Sequence, residues 1–492
     1  MKRTIHAGAR VTTAALALVL GAAGWSWSAA VAAEAADGAA APLELTLERC
    51  IEIGIEHSVQ FLNEEESFIL QQLSTSLQRH NYGLLWTSTL AAETDSDEVT
   101  SEGASVAIAR RLLTGGELQL DVGTSGSQTS GLQGGEDDDA YASSVSLSIE
   151  QPLLRGAGRL VAREELTQAE RDLVYAGRDL ILFKQQFLLD IVQQYYQLTE
   201  QRERIRNQEE KLGGAKWLRD RTTALKGREL ASEIDELRAR NNVLRAENDL
   251  NDARESYELA LDRLKLDLGL PVDRAVVVVE KALAVTPTEP ALGPSLEAAL
   301  VNRLDLKTAL GAAEDARRAL AIARNALRGD LDLTARVGYT SESGTSFGDQ
   351  RFGDPEWSVG LSYAIPLDRA AEKASYRERL IAYARAQRRA DRVHDEVVLE
   401  VRRTLRELRR AEATIAFQEK NVELAEQRHE RAKADLERGE ATTRDVEEAE
   451  DEKLAAKNAH VRAQVDYIIA TFQLRKDTGQ LDFDKEWREL IR

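Results

Sequence analysis

Two stretches of strict alternation, each closed by a proline and followed by a very long helical run, constrain this chain more than any other feature. The first is Ser144 to Leu154, SVSLSIEQPLL. Val145, Leu147 and Ile149 point one way, and Ser144, Ser146, Ser148 and Glu150 the other. That is a strand with one apolar and one polar face. Pro152 ends it, because proline cannot donate to a ladder. The second stretch is Ser358 to Leu367, SVGLSYAIPL, where Pro366 stands as Pro152 stood. From Arg159 the period turns helical, and no proline appears until Pro271. A second long helical run follows Pro366. One strand–proline–helix unit is written twice.

Landmark spacing supports the repeat. Pro152 to Gly227 is 75 residues and Pro366 to Gly439 is 73; Gly227 to Gly269 is 42 and Gly439 to Gly479 is 40. Upstream, His57 to Phe61 lines up with Asn302 to Leu306 at an offset of 245, against 214 for the prolines. The first repeat therefore holds 31 extra residues before its proline. They fit one additional strand pair around Gly115-Gly116. The division is repeat 1 at 34–271, a proline-rich connector at 272–294, repeat 2 at 295–480 and a tail at 481–492.

In chain order, Leu45 to Arg79 reads as a helix with Thr46 as N-cap. Leu84 to Thr94, Ser105 to Leu113 and Glu117 to Gly123 read as strands, with a tight turn at Thr114-Gly115-Gly116. Asp95 to Gly103 and Thr124 to Ala140 are polar and loop-like. Arg159 to about Leu225 reads as a helix interrupted at Gly213-Gly214, spanning ~100 Å at ~1.5 Å per residue. A second helix runs from about Leu230 to Leu268, and Ala275 to Glu280 is a short valine strand. Repeat 2 offers a helix at Leu296 to Leu327, a strand at Leu331 to Tyr339, and a loop at Ser341 to Pro355. Helices at Asp368 to Arg438 and Thr443 to Asp477 follow its second strand.

Residues 1–33 read as a secretory leader: Lys2, Arg3 and Arg10, an apolar core at Val11 to Gly24, and a small-residue cleavage site near Ala30-Val31-Ala32. No later stretch holds about 18 consecutive apolar residues. With 84 acidic and 65 basic residues the net charge is −19, which argues against a nucleic-acid partner. The single cysteine, Cys50, leaves no disulfide within the chain and no cysteine zinc site. His57, His80, His394, His429 and His460 read as solvated helix residues without metal-ligand spacing. Gly156-Ala157-Gly158 lacks the third glycine of a dinucleotide loop. Charge runs such as Glu447-Glu448 with Glu450-Asp451-Glu452 read as solvated helix faces. No catalytic residue, metal or cofactor is expected; the chain is not read as an enzyme.

Amphipathic strands joined by short turns at one end and long polar loops at the other suit a transmembrane barrel. One chain supplies too few strands to close one, so symmetric closure by several copies is expected. Four strands from repeat 1 and two from repeat 2 make six per chain, hence 18 if three copies close the barrel. The competing reading is a periplasmic coiled-coil scaffold, anchored in the outer membrane, that transports nothing.

The chain resembles the TolC family of trimeric outer-membrane efflux channels. The resemblance rests on Gln151-Pro152-Leu153-Leu154 with Gly156 and Gly158, on Gly227, Asp235 and Ala239, and on Arg303-Leu304-Asp305-Leu306, Gly439, Thr442, Asp445-Val446, Ala449, Tyr467 and Gly479. It implies an α+β membrane protein: a trimeric outer-membrane β-barrel continued by a long periplasmic α-helical barrel, with an internal two-fold repeat. Pro152 and Pro366 mark the swap from strand to helix. The implied function is the exit duct of a tripartite efflux or type I secretion system. Its implied partners are a periplasmic adaptor (a membrane fusion protein), a proton-driven or ATP-driven inner-membrane transporter, and outer-membrane lipid. The tips that would meet the adaptor are Gly227, Glu229, Leu230 and Ser232, with Gly439, Ala441, Thr442 and Thr443. By the resemblance, Asp445 and Glu448, three apart and so on one helix face, line the pore at its periplasmic constriction. The leading helix of repeat 1 would stack end to end on the helix that closes it. Two departures stand out: the family's common proline is missing at Val59 and Leu304, and repeat 1 has an extra strand pair.

Overall fold

The structure, a computed structural model, describes residues 42–94, 99–129, 138–227, 231–279, 290–341 and 351–481. The expected leader at 1–33 and the tip residues Glu229 and Leu230 lie outside them.

The first repeat opens with β1 (Leu43–Leu45), α1 (Leu47–His57) and α2 (Val59–His80). Four strands follow: β2 (Leu85–Thr94), β3 (Val99–Arg111), β4 (Glu117–Thr129) and β5 (Asp138–Pro152). Helices α3 (Arg159–Ala162), α4 (Glu164–Lys226) and α5 (Glu233–Asp267) and strand β6 (Val276–Val278) complete it. The second repeat runs α6 (Leu292–Asn302), α7 (Leu304–Asn325), β7 (Asp330–Thr340), β8 (Glu356–Ala364), α8 (Ala370–Arg438) and α9 (Thr443–Asp477).

Among the described residues β2 to β5, β7 and β8 form one antiparallel sheet in the order β2-β3-β4-β5-β7-β8. The six strands expected per chain are present, and Ser105 to Gly123 lies within the sheet. The loop assignments were too long. β3 begins at Val99, β4 reaches Thr129 and β5 starts at Asp138, so the ladder continues through serines, threonines and glycines that lack apolar alternation. Backbone pairing, not side-chain pattern, carries the strands beyond their apolar segments.

Three helical expectations are corrected. Gly213-Gly214 does not interrupt α4, which continues through both residues. Arg163 separates a short α3 from α4. Each leading helix is two, because Ser58 and Arg303 take extended ψ values of 122° and 120° between their flanking helices. The breaks are where the closing helices end. Gly269 after α5 has φ +75°, and a Cβ there would fall 2.1 Å from the His57 carbonyl oxygen. Gly479 after α9 has φ +66° and would meet Asn302 at 2.8 Å. Glycine serves both positions because the left-handed turn and the close approach each exclude a side chain. The closing helix thus stacks end to end on the leading helix in both repeats.

In the half away from the sheet the helices lie side by side as α5, α4, α9 and α8, with α2 and α7 beside α4 and α8 in the half nearer the sheet. The main core is where these halves meet. Phe61, Phe187, Ile191, Tyr195, Leu264 and Leu268 pack together there, with the Phe61 and Phe187 rings 5.4 Å apart. β1 and β6 pair in parallel beside this core, and Tyr195 donates its hydroxyl to the Val279 carbonyl. Each fully buried side chain of this size contributes roughly 1.5–3 kcal/mol.

Candidate functional site

The sheet has two different faces. Direct cross-strand partners share a face, and Trp86, Ile108, Leu120, Leu147, Val337 and Trp357 are successive partners across all six strands. Trp86 is 68% exposed and Trp357 76%. The next row on the other face runs Thr87, Ala107, Asp121, Ser146, Gly338 and Glu356. Arg336 donates to the Ser146 hydroxyl at 3.2 Å on that side. An uncovered apolar face backed by a polar one is what a lipid-facing, water-lined wall requires.

The sheet passes into the helices at the two prolines. Pro152 is the last residue of β5, opposite Asp332. The Gly115 turn packs onto this junction: Gly115 has φ +99°, a Cβ would lie 2.5 Å from the Gly156 carbonyl oxygen, and Gly158 N–H donates to Thr114 O at 3.0 Å. The extra hairpin therefore turns at the helical end of the sheet. Pro366 follows β8, and its carbonyl accepts from Arg369 Nε at 3.2 Å.

The far ends of the helices are capped in parallel fashion. Ser232 caps α5, its hydroxyl and N–H engaging Asp235 at 2.6 and 3.1 Å. Thr442 caps α9 in the same way, with its hydroxyl and N–H both 2.7 Å from the Asp445 carboxylate. These are capping boxes, each satisfying orphan donors of the first turn. The Thr442 backbone N–H, then its hydroxyl, hold the Asp445 carboxyl below the usual range. Thr443 is buried and Ala441 half-buried. The tip glycines differ. Gly439 is left-handed at φ +78°, whereas Gly227 is right-handed at φ −61°.

Asp445 and Glu448 share the exposed face of α9, opposite buried Val446 and Ala449. Neither carboxylate is free within the chain: Asp445 closes the cap, and Glu448 pairs with Arg444 at 2.8 Å.

One turn further up, the structure overturns the reading of His429 and Glu450 as solvated. His429 is 2% exposed and its Nε2 contacts the Glu450 carboxylate. Lys453 reaches Glu450 at 3.1 Å and Glu210 at 2.9 Å; Lys457 reaches Glu210 at 3.0 Å. This network ties α8, α9 and α4 together. Burial pushes the Glu450 carboxyl up, but His429 and Lys453 outweigh it and hold the group below its ordinary value. Gly214 faces this network: a Cβ there would lie in van der Waals contact, 3.5 Å from the Glu450 carboxyl carbon. The heptad register of α8 could have exposed His429, which continues the line of Val397, Val401, Thr404, Leu408 and Ala425.

At the junction of the two halves, Arg303 pairs with Asp305 at 2.6 Å and Glu400 at 2.8 Å. Burial opposes the Asp305 charge, yet Arg303 holds its carboxyl down. This arginine anchors the break between α6 and α7 to α8. No group of His, Cys, Asp and Glu able to hold a metal occurs among the described residues.

The family model described as outer membrane efflux protein matches residues 295–480. The fold agrees over about nine-tenths of the chain. VceC, the outer membrane protein from Vibrio cholerae, superposes with TM-score 0.67 at 18% identity, over 88% of this chain and 96% of that one. The Campylobacter jejuni CmeC outer membrane channel gives 0.67 at 14%, over 91% and 89%. The Neisseria gonorrhoeae MtrE outer membrane channel gives 0.60 at 16%, over 89% and 90%. No curated protein matches the chain by sequence. The resemblance to the TolC family drawn from the motifs is in line with both comparisons, and the chain shares its fold with these outer membrane channels over about nine-tenths of its length.

Proposed function

We propose that this protein is the outer-membrane exit duct of an export system, a passive channel that continues through the periplasm as a helical tunnel. The observation that carries this is a pair of matching open edges. The sheet ends at β2 and β8, and the distal helix layer ends at α5 and α8. Both layers have one apolar or mixed edge to offer on each side, and heterologous closure around a symmetry axis removes all of them together. Three copies give an 18-stranded barrel above a tunnel of twelve helical rows.

The duct works with a periplasmic adaptor and an inner-membrane transporter driven by protons or ATP. Adaptor docking falls at the tips, around Gly227, Ser232, Gly439, Ala441, Thr442 and Thr443. Asp445 and Glu448 stack rings of carboxylates about the axis just above, which favours bound cations. The tip helices splay to open, and an adaptor favours that state by binding it better. Planar-bilayer recording tests the reading. The duct predicts discrete, cation-selective conductance, blocked by multivalent cations from the tip side. A protein that inserts and passes no current is the scaffold instead.

A further inference from the structure

The two edge helices of the distal layer carry complementary stripes. On α8, Val397, Val401, Thr404 and Leu408 are buried against the rest of the chain. On the opposite side Leu399, Arg403, Arg406, Arg410, Phe417 and Leu424 follow one another at heptad spacing, all exposed. A second heptad stripe needs a second helix to pack against. Among the described residues Arg406 and Arg410 make no ion pair, and Arg403 makes only a surface one, to Glu407 at 3.5 Å. Helix α5 mirrors this. Ala239, Val243, Ala246 and Leu250 are buried, while Leu237, Leu244, Glu255, Glu258 and Asp262 form the opposite stripe. Glu255 and Glu258 are exposed and without an ion pair among the described residues, where Asp262 pairs with Lys265 alone, at 3.0 Å.

The internal repeat supplies the register. Helices α4 and α9 already pack across the junction between repeats. Lys226 and Arg438 end their helices 212 residues apart, and Ser232 and Thr442 cap theirs 210 apart. These offsets turn an α4–α9 contact into an α8–α5 contact between copies. The Asn207–Asn458 hydrogen bond of 2.8 Å maps to Glu419 beside Asn248. The Gln186–Lys476 contact maps to Val398 beside Leu266. Two antiparallel helices pinned at those points bring Arg403, Arg406 and Arg410 alongside Asp262, Glu258 and Glu255.

We infer that an arginine ladder on α8 of one copy pairs with the carboxylate ladder on α5 of the next, and that this charge pairing sets the register of the seam. The inference rests on the ring reading above and adds to it which side chains recognise the second copy. Such a seam is screened by salt where it meets solvent, and opposite charges select the partner face more than they add affinity.

The test uses the full chain extracted in detergent. Arg403→Glu, Arg406→Glu and Arg410→Glu together lower the trimer fraction on the order of tenfold or more at low salt. Adding Glu255→Arg, Glu258→Arg and Asp262→Arg restores it. Circular dichroism checks that the helices remain. Independently, Ala413→Cys with Asn251→Cys, in a Cys50→Ala background, forms disulfide-linked dimers and trimers under mild oxidation. A wild-type trimer that tolerates the triple reversal and does not cross-link overturns the charge register while leaving the ring intact. A wild-type monomer overturns both.

Discussion

Asp445 has two duties that a single substitution confounds. Its carboxylate closes the α9 cap with Thr442 and belongs to the proposed pore ring. Thr442→Ala separates them, losing about 1 kcal/mol of helix stability as a cap while leaving the charge. We expect unchanged ion selectivity for Thr442→Ala and loss of cation preference and block for Asp445→Ala with Glu448→Ala. Bilayer recordings that show the opposite ranking reject the gate. Gly439 and Gly227 also separate. Gly439→Ala forces a left-handed alanine and costs roughly 1–2 kcal/mol, whereas Gly227 already has right-handed geometry and Gly227→Ala leaves the melting temperature near wild type. The motif Thr442, Asp445 and Val446 entered through the family resemblance, and the structure shows that Thr442 and Asp445 form a local capping box. Glu450 was not legible in the sequence, since its network depends on a third helix 240 residues distant in sequence at Glu210, while His429 was signalled only by the heptad line of α8.

Among the elements, α4 holds a glycine pair that looks like a break and is not. No atom lies within 4 Å of a Cβ placed at Gly213, whereas Gly214 faces Glu450. Gly213→Ala is therefore expected to stabilise α4 by roughly 0.5–1 kcal/mol, and Gly214→Leu to push the Glu450 carboxylate out and lower the melting temperature. The Glu450 network also has a pH signature. A carboxyl held below its ordinary value of 4.5 contributes stability above that pH and loses it as pH falls through its depressed value. Thermal melts below about pH 4.5 should show a steeper acid loss in wild type than in Glu450→Gln; equal slopes contradict the assignment. The helices α8 and α9 were legible nearly to the residue because glycine and threonine punctuate them. The strand ends were not, because serine, threonine and glycine segments pair through backbone alone. The splits at Ser58 and Arg303 were hidden for another reason. They arise where a distant helix end abuts the chain, and no proline marks them.

At the scale of the whole molecule, the sheet order β2-β3-β4-β5-β7-β8 leaves two antiparallel edges and six strands per copy. The count was legible from the 31-residue surplus in repeat 1 and from the glycine turn at Gly115-Gly116. The side-by-side order α5, α4, α9, α8 was not, because the repeat specifies each helix pair but not which pair neighbours which. The proposed duct requires three copies to close one wall in lipid and one tunnel below it. Electron cryomicroscopy of the full-length protein in lipid nanodiscs addresses it in a single measurement. A three-fold ring is expected, with 18 strands in the membrane and α8 of each copy against α5 of the next. A monomeric particle, or a barrel from which the β3–β4 hairpin is excluded to leave 12 strands, contradicts it.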